Sequence, residues 1–133
     1  MQQTLRRGAL VTALALAFAL PALGADAISF SPGSPWAQTI GTVSKTDNFH
    51  EYSVSADAGK TLQINLISRN PNLFFRVLPA DSGKPLVDTA SNGATTWTTK
   101  PDATATYTVR VYEDPATVAS GDITKYALQV GVY

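Results

Sequence analysis

From Ile28 to Tyr133 the apolar side chains recur at every second position, with no sustained helical period. A period of two sends successive side chains to opposite faces of an extended strand, so each such segment has one face to bury. In EYSVSA, Tyr52 and Val54 fall on one face and Glu51, Ser53 and Ser55 on the other. TLQINLI groups Leu62, Ile64 and Leu66 against Gln63 and Asn65, and NLFFRVL groups Leu73, Phe75 and Val77 against Phe74, Arg76 and Leu78. YTVRVY sets Tyr107, Val109 and Val111 opposite Thr108, Arg110 and Tyr112, and YALQVGVY repeats the pattern with Tyr126, Leu128, Val130 and Val132. Half-apolar strands of this kind become stable when two antiparallel sheets pack their apolar faces together. The expected fold is all-β: a single antiparallel β-sandwich, with no second domain and no repeat.

Turn-forming residues punctuate the strands. ADAGK (56–60) and PADSGKP (79–85) are expected as hairpin connections, and SNG (91–93) as an Asn-Gly turn of type I′. EDPATVASGDITK, residues 113–125, is longer than a hairpin requires, and is either a crossover between the sheets or a functional loop.

The first two dozen residues read differently. MQQTLRR carries Arg6 and Arg7, GALVTALALAFAL is an apolar run that stops at Pro21, and small residues follow at Ala22, Gly24, Ala25 and Ala27. A basic start, a short apolar run and small residues at a cleavage point mark a secretory signal peptide, and the run is too short and wrongly flanked for a membrane span. Cleavage after Gly24, or after Ala27, is expected to release an exported domain, residues 25–133 for the former, with no stable membrane anchor. The 133 residues include no cysteine, so neither a lipid attached through Cys nor a disulfide is available. An exported domain of this size must then rely on its packed core. Ten Lys and Arg balance ten Asp and Glu, and without Arg6 and Arg7 the balance is 8 to 10. Such a domain lacks the basic face that nucleic acid demands.

No arrangement of catalytic groups emerges. His50 is the only histidine, and Glu51 beside it points to the opposite face of the strand and does not orient it. With one His and no Cys, a zinc site has no ligand set. Asp47 with Asn48, and Glu113 with Asp114 and Asp122, offer oxygens without calcium-loop spacing. GKT at 59–61 lacks the preceding glycine and the following helix of a phosphate loop. No metal or cofactor is expected, and binding rather than catalysis is the expected activity. Rigid scaffolds bind through loops and through aromatics outside the core pattern. SRNPN, residues 68–72, is such a loop, and Phe74, Trp36 and Trp97 are such aromatics. Each also has an ordinary reading: a turn whose Asn side chains satisfy their own backbone, or an aromatic ring that packs.

FHEYSVSADAGKTLQINL, then NLFFRVL, TATYTVRV and a closing KYALQVGVY, together resemble the bacterial pre-peptidase C-terminal domain, a β-sandwich found on secreted enzymes. A fuller pattern is similar to the periplasmic inhibitors of goose-type (g-type) lysozyme, which share that scaffold. It comprises Phe30 and Gly33 of FSPG, Ala37, Gln38 and Gly41 of WAQTIG, the EYSVSADAGK segment and the Ser68 loop. It ends with Tyr107, Arg110 and Val111, then Lys125 and Tyr126. The resemblance implies a g-type lysozyme as partner, its glycan-binding cleft blocked by loops from one end of the sandwich. Carried onto this chain, the contacts are Ser68, Arg69, Asn70 and Asn72, with Arg110 beside the loop and Phe74 and Tyr112 as aromatic neighbours. A strand-face salt bridge is the other reading of Arg110. The chain departs from the family in the loop after Tyr107–Val111, where Glu113, Asp114 and Asp122 stand and basic residues are missing. The alternative partner is the peptidoglycan glycan itself, stacked on Trp36, Trp97 or Phe74; a third reading is an envelope structural protein.

Overall fold

The structure is a computed structural model that describes residues 24–80, 83–119 and 121–133; apart from Gly24, the expected leader lies outside them. The strands are β1 (Asp26–Ala27), β2 (Trp36–Ser44), β3 (Phe49–Ala56), β4 (Leu62–Ser68) and β5 (Leu73–Pro79). They continue as β6 (Val87–Asp88), β7 (Thr96–Thr99), β8 (Ala105–Glu113) and β9 (Ile123–Val132). One sheet has the order β1-β3-β8-β5-β6 and the other β2-β9-β4-β7. Every pairing is antiparallel except the two-residue β1, which runs parallel to the β3 edge. The chain is a β-sandwich.

The core follows the alternation. Tyr52, Val54, Leu62, Ile64, Leu66, Leu73, Phe75, Val77, Tyr107, Val109, Val111, Tyr126, Leu128 and Val130 all point between the sheets. Burying fourteen such side chains, at roughly 1.5–3 kcal/mol each, supplies the driving force that a chain without cross-links requires. Among the polar links between the sheets, the hydroxyls of Tyr52 on β3 and Tyr126 on β9 share a buried hydrogen bond of 2.6 Å. Burial and the neighbouring Tyr52 hydroxyl push the Tyr126 phenol far above its ordinary value.

β2 turns only one bulky residue, Val43, into the core, and the reason lies opposite the rest of the strand. Gly41 is the ladder partner of Tyr126, whose ring lies over it; a Cβ at Gly41 would fall 2.5 Å from the Tyr126 Cζ. On the outer face the relation is inverted, with Trp36 lying over its partner Gly131, where a Cβ would sit 2.7 Å from the indole. Each aromatic fills the volume that the glycine opposite leaves.

Two connections differ from the sequence expectation, and a third is settled between its two readings. The 57–61 segment joins β3 to β4, which belong to different sheets, so ADAGK is a crossover and not a hairpin. SNG is not a type I′ turn: Thr89–Ser91 form a 3-10 turn capped by Asp88, and Asn92 has φ −129° where type I′ needs a positive value. The buried Thr89 fixes that turn by accepting the Phe75 N–H at 3.0 Å. The long segment after β8 is the crossover of the two alternatives, carrying the chain from one sheet to the other through a short 3-10 turn at Pro115–Thr117. PADSGKP does join paired neighbours, β5 and β6, although Asp81 and Ser82 lie outside the described residues. No described helix is long and apolar enough to cross a membrane.

Candidate functional site

The 69–72 segment carries the chain from the end of β4 to the start of β5, and so caps one end of the sandwich between its sheets. Its conformation is set by its own side chains. Ser68 Oγ donates to the Lys125 carbonyl at 3.1 Å and accepts the Asn70 N–H at 3.2 Å. Asn70 Oδ1 accepts the Asn72 N–H at 2.9 Å, which closes an Asx turn around Pro71. The Asn70 amide nitrogen points inward, donating to Glu113 Oε1 and, at 3.0 Å, to Thr124 Oγ1. Thr124 in turn donates to Glu113 at 2.8 Å. Glu113 is 1% exposed, and its Oε2 has no hydrogen-bond partner among the described residues. A buried carboxylate left half-satisfied makes both of its donors expensive to remove, so Asn70 and Thr124 pin the turn to β8 and β9.

That arrangement sorts the residues of the turn. Asn70 has both amide hydrogens engaged inside the protein and Ser68 is engaged with the backbone. Arg69 and Asn72 remain exposed, and among the described residues their side chains meet no hydrogen-bond or ionic partner. Arg69 stands over a groove of about 620 Å³ whose floor is the outer face of the four-stranded sheet. There Ile40, Ala127 and Ile67 are aligned across β2, β9 and β4. Ile40 is 59% exposed, Ile67 51% and Ile123 71%, values that leave most of three branched apolar side chains in water. Lys125 lines the same groove and, like Arg69, has no ion-pair partner among the described residues. Contiguous apolar surface rimmed by unpaired charge is the form of a protein-binding site. The sequence reading did not single out these isoleucines. The available signal was an isoleucine on the polar register of its strand, as Ile67 is after Leu62, Ile64 and Leu66.

Phe74, Arg110 and Tyr112 lie on the outer face of the other sheet. Phe49, Tyr112 and Phe74 form one cross-strand row, and Glu51, Arg110 and Arg76 the next. Arg110 is held by Glu51 at 2.7 Å while its guanidinium lies 4.5 Å over the Phe49 ring, so it forms the strand-face salt bridge. Arg76 pairs with Asp88 at 3.0 Å and stacks over Tyr112, whose hydroxyl donates to the same carboxylate. Partial burial opposes ionisation of Asp88, but the hydrogen bonds from Tyr112 and the Ala90 N–H and the charge of Arg76 outweigh it, holding the carboxyl below its ordinary 3.8. Burial and the hydrogen bond to Asp88 push the Tyr112 phenol up. The ions of these two rows already have counterions, whereas among the described residues Arg69 and Lys125 have none. The two groups of residues therefore occupy opposite faces, joined at the same end through Asn70 and Glu113.

Other candidates resolve simply. His50 Nε2 lies 2.7 Å from the Thr42 carbonyl and 3.4 Å from Asp47, a link between adjoining strands and their loop. Trp97 packs against the core, and Trp36 stacks on Tyr133 at 5.7 Å on the open face. No group of three or more His, Cys, Asp or Glu among the described residues is placed to hold a metal ion.

No family model matches the chain, and no curated protein matches it. Solved structures do. A periplasmic inhibitor of g-type lysozyme from Aeromonas hydrophila superposes with a TM-score of 0.69 at 21% identity, covering 82% of this chain and 96% of the other. The corresponding inhibitor from Salmonella Typhimurium gives 0.59 at 16% identity, over 80% and 96%. The pre-peptidase C-terminal domain of a Bacillus anthracis collagenase gives 0.54 at 14% identity, over 82% and 94%. At these identities the likeness is one of fold, and it extends over nearly the whole of each related chain.

Proposed function

We propose that this protein is a periplasmic inhibitor of a g-type lysozyme, and that it binds by presenting Arg69 and the groove beside it to the enzyme's glycan-binding cleft. The observation that carries the reading is Arg69 itself: an uncompensated guanidinium on a turn locked from beneath by Asn70, Glu113 and Thr124. A cation held in place before binding loses little conformational freedom on contact, so more of its attraction to an acidic cleft appears as affinity. Lys125 adds a second positive charge, and Ile40, Ile67 and Ile123 supply the apolar area that charge alone does not. The fold shared with two g-type lysozyme inhibitors supports the partner class. On the same reading, a leader ending at Gly24 or Ala27 exports the protein to the periplasm, where such an enzyme meets it. Phe74, Arg110 and Tyr112 form a self-paired face and contribute less than the Arg69 side.

The test is lysis of bacterial cell walls by a g-type lysozyme with and without the purified domain, with a c-type lysozyme alongside. Selective inhibition of the g-type enzyme is expected. Arg69→Ala should weaken it at least tenfold, since losing one side of a desolvated charge pair costs about 2–5 kcal/mol. Retention of full inhibition by both Arg69→Ala and Lys125→Ala would exclude this surface.

A further inference from the structure

Beside the isoleucine groove, the outer face of the four-stranded sheet changes character. Gln38, Gln129 and Asn65 stand side by side on β2, β9 and β4, and their amides form one chain. Gln129 donates to Gln38 at 3.0 Å, Asn65 to Gln129 at 3.4 Å, and Gln63 to Asn65 at 3.0 Å. Tyr133 closes the end by donating to Gln63 at 2.7 Å, and its ring stacks with that of Trp36. The aromatic pair is well exposed, Trp36 at 39% and Tyr133 at 49%. Trp36, Gln38, Gln63, Asn65 and Gln129 line a trough of about 440 Å³.

We infer that this trough binds a neutral β-linked oligosaccharide. A side-chain amide offers two donors and two acceptor sites, and the ladder engages only part of each. At Gln129 one N–H and one lone pair are used, which leaves one of each for a ligand; Gln38 retains both of its N–H groups. Asn65 Oδ1 is filled by Gln63 and by the Thr96 hydroxyl, at 3.0 Å each, but an unused N–H remains on each of Gln38, Gln129 and Asn65, repeating at the strand spacing of about 4.8 Å, which is comparable with the repeat of a pyranose chain. Sugar hydroxyls and acetamido groups answer such a mixed row, and the apolar face of a pyranose answers an exposed flat aromatic. The six side chains include no Asp, Glu, Lys, Arg or His, so a nucleic acid or a charged peptide finds no counterion here.

The site is independent of the lysozyme reading, and the experiment separates the two. The 15N-labelled domain is titrated with chitotetraose while the side-chain amide signals of Gln38, Gln63, Asn65 and Gln129 and the Trp36 indole are followed. Saturable shifts confined to these groups are expected, with a Kd of about 1 mM or tighter. Gln38→Ala, at the exposed end of the ladder, should weaken binding at least threefold while leaving lysozyme inhibition intact. Arg69→Ala should do the reverse. The absence of saturable shifts, shifts centred elsewhere, or an unchanged Kd in Gln38→Ala would overturn the proposal. An equal response to tetragalacturonate would overturn the neutral class.

Discussion

Two glycines and two aromatics carry much of the specificity of the β2–β9 ladder. Because the Tyr126 ring occupies the space where a Gly41 side chain would stand, Gly41→Ala forces the ring or the strand aside. Overpacking of this kind costs about 1–3 kcal/mol, and the urea midpoint should fall accordingly with the slope unchanged. The Tyr52–Tyr126 pair behaves differently. Tyr126→Phe leaves the Tyr52 hydroxyl buried without its partner, a loss of about 1–3 kcal/mol, whereas replacing both tyrosines by Phe should destabilise less than the two single losses combined. On the other face, Asp88 makes stability depend on acid. Its folded-state value lies below 3.8, so its stabilisation is complete above that pH and is lost as the pH falls through the folded-state value. The gap in urea midpoint between the parent and Asp88→Asn should therefore be widest at neutral pH and close below pH 3.8. A gap that stays constant into acid would sink this account.

At the scale of elements, the decisive unit is the 68–72 turn with the ends of β8 and β9 beneath it. Asn70→Ala should lower stability by about 1–3 kcal/mol by stranding the Glu113 carboxylate, and should weaken inhibition as well because Arg69 loses its support. Arg69→Ala should leave the midpoint within about 0.5 kcal/mol of the parent. Denaturation and inhibition measured on both variants separate a supporting residue from a contacting one. The turn itself was legible as polar loop chemistry, since Ser, Asn and Pro at these spacings close turns on their own backbone. The inward orientation of Asn70 was not legible, because its partners Glu113 and Thr124 are more than forty residues away in sequence. β3, β4, β5, β8 and β9 were readable because bulky residues alternate along them. β2 and β7 were not, since β2 turns Ala37, Thr39 and Gly41 inward, with Val43 its one bulky core residue, and relies on Tyr126 to fill the space. The edge strand β1 bears on the leader. Asp26 and Ala27 pair with Tyr52 and Ser53, so a domain beginning at Ile28 loses both and bares the β3 edge. The form beginning at Ala25 should be the more stable and the less prone to self-association, and size-exclusion chromatography of the two forms reads the difference.

The whole molecule presents two unlike faces. One, over β3, β8 and β5, pairs its own ions across the strands; the other, over β2, β9 and β4, carries a cationic apolar groove at one end and a neutral amide trough at the other. If inhibition draws on Arg69 and Lys125 as proposed, high salt should weaken it and leave binding of a neutral sugar nearly unchanged. The order of the strands has a different consequence. β9 lies between β2 and β4 and is paired to both, yet it follows every other described strand in the sequence. Before it is made, β2 and β4 have no contact along their lengths, and the successive segments β2, β3, β4 and β5 belong to alternate sheets and close no local hairpin. A chain so ordered has little to fold around until its last strands are made. The strand that completes the sheet arrives last, so the topology itself delays folding, and export by the proposed leader would draw on that delay.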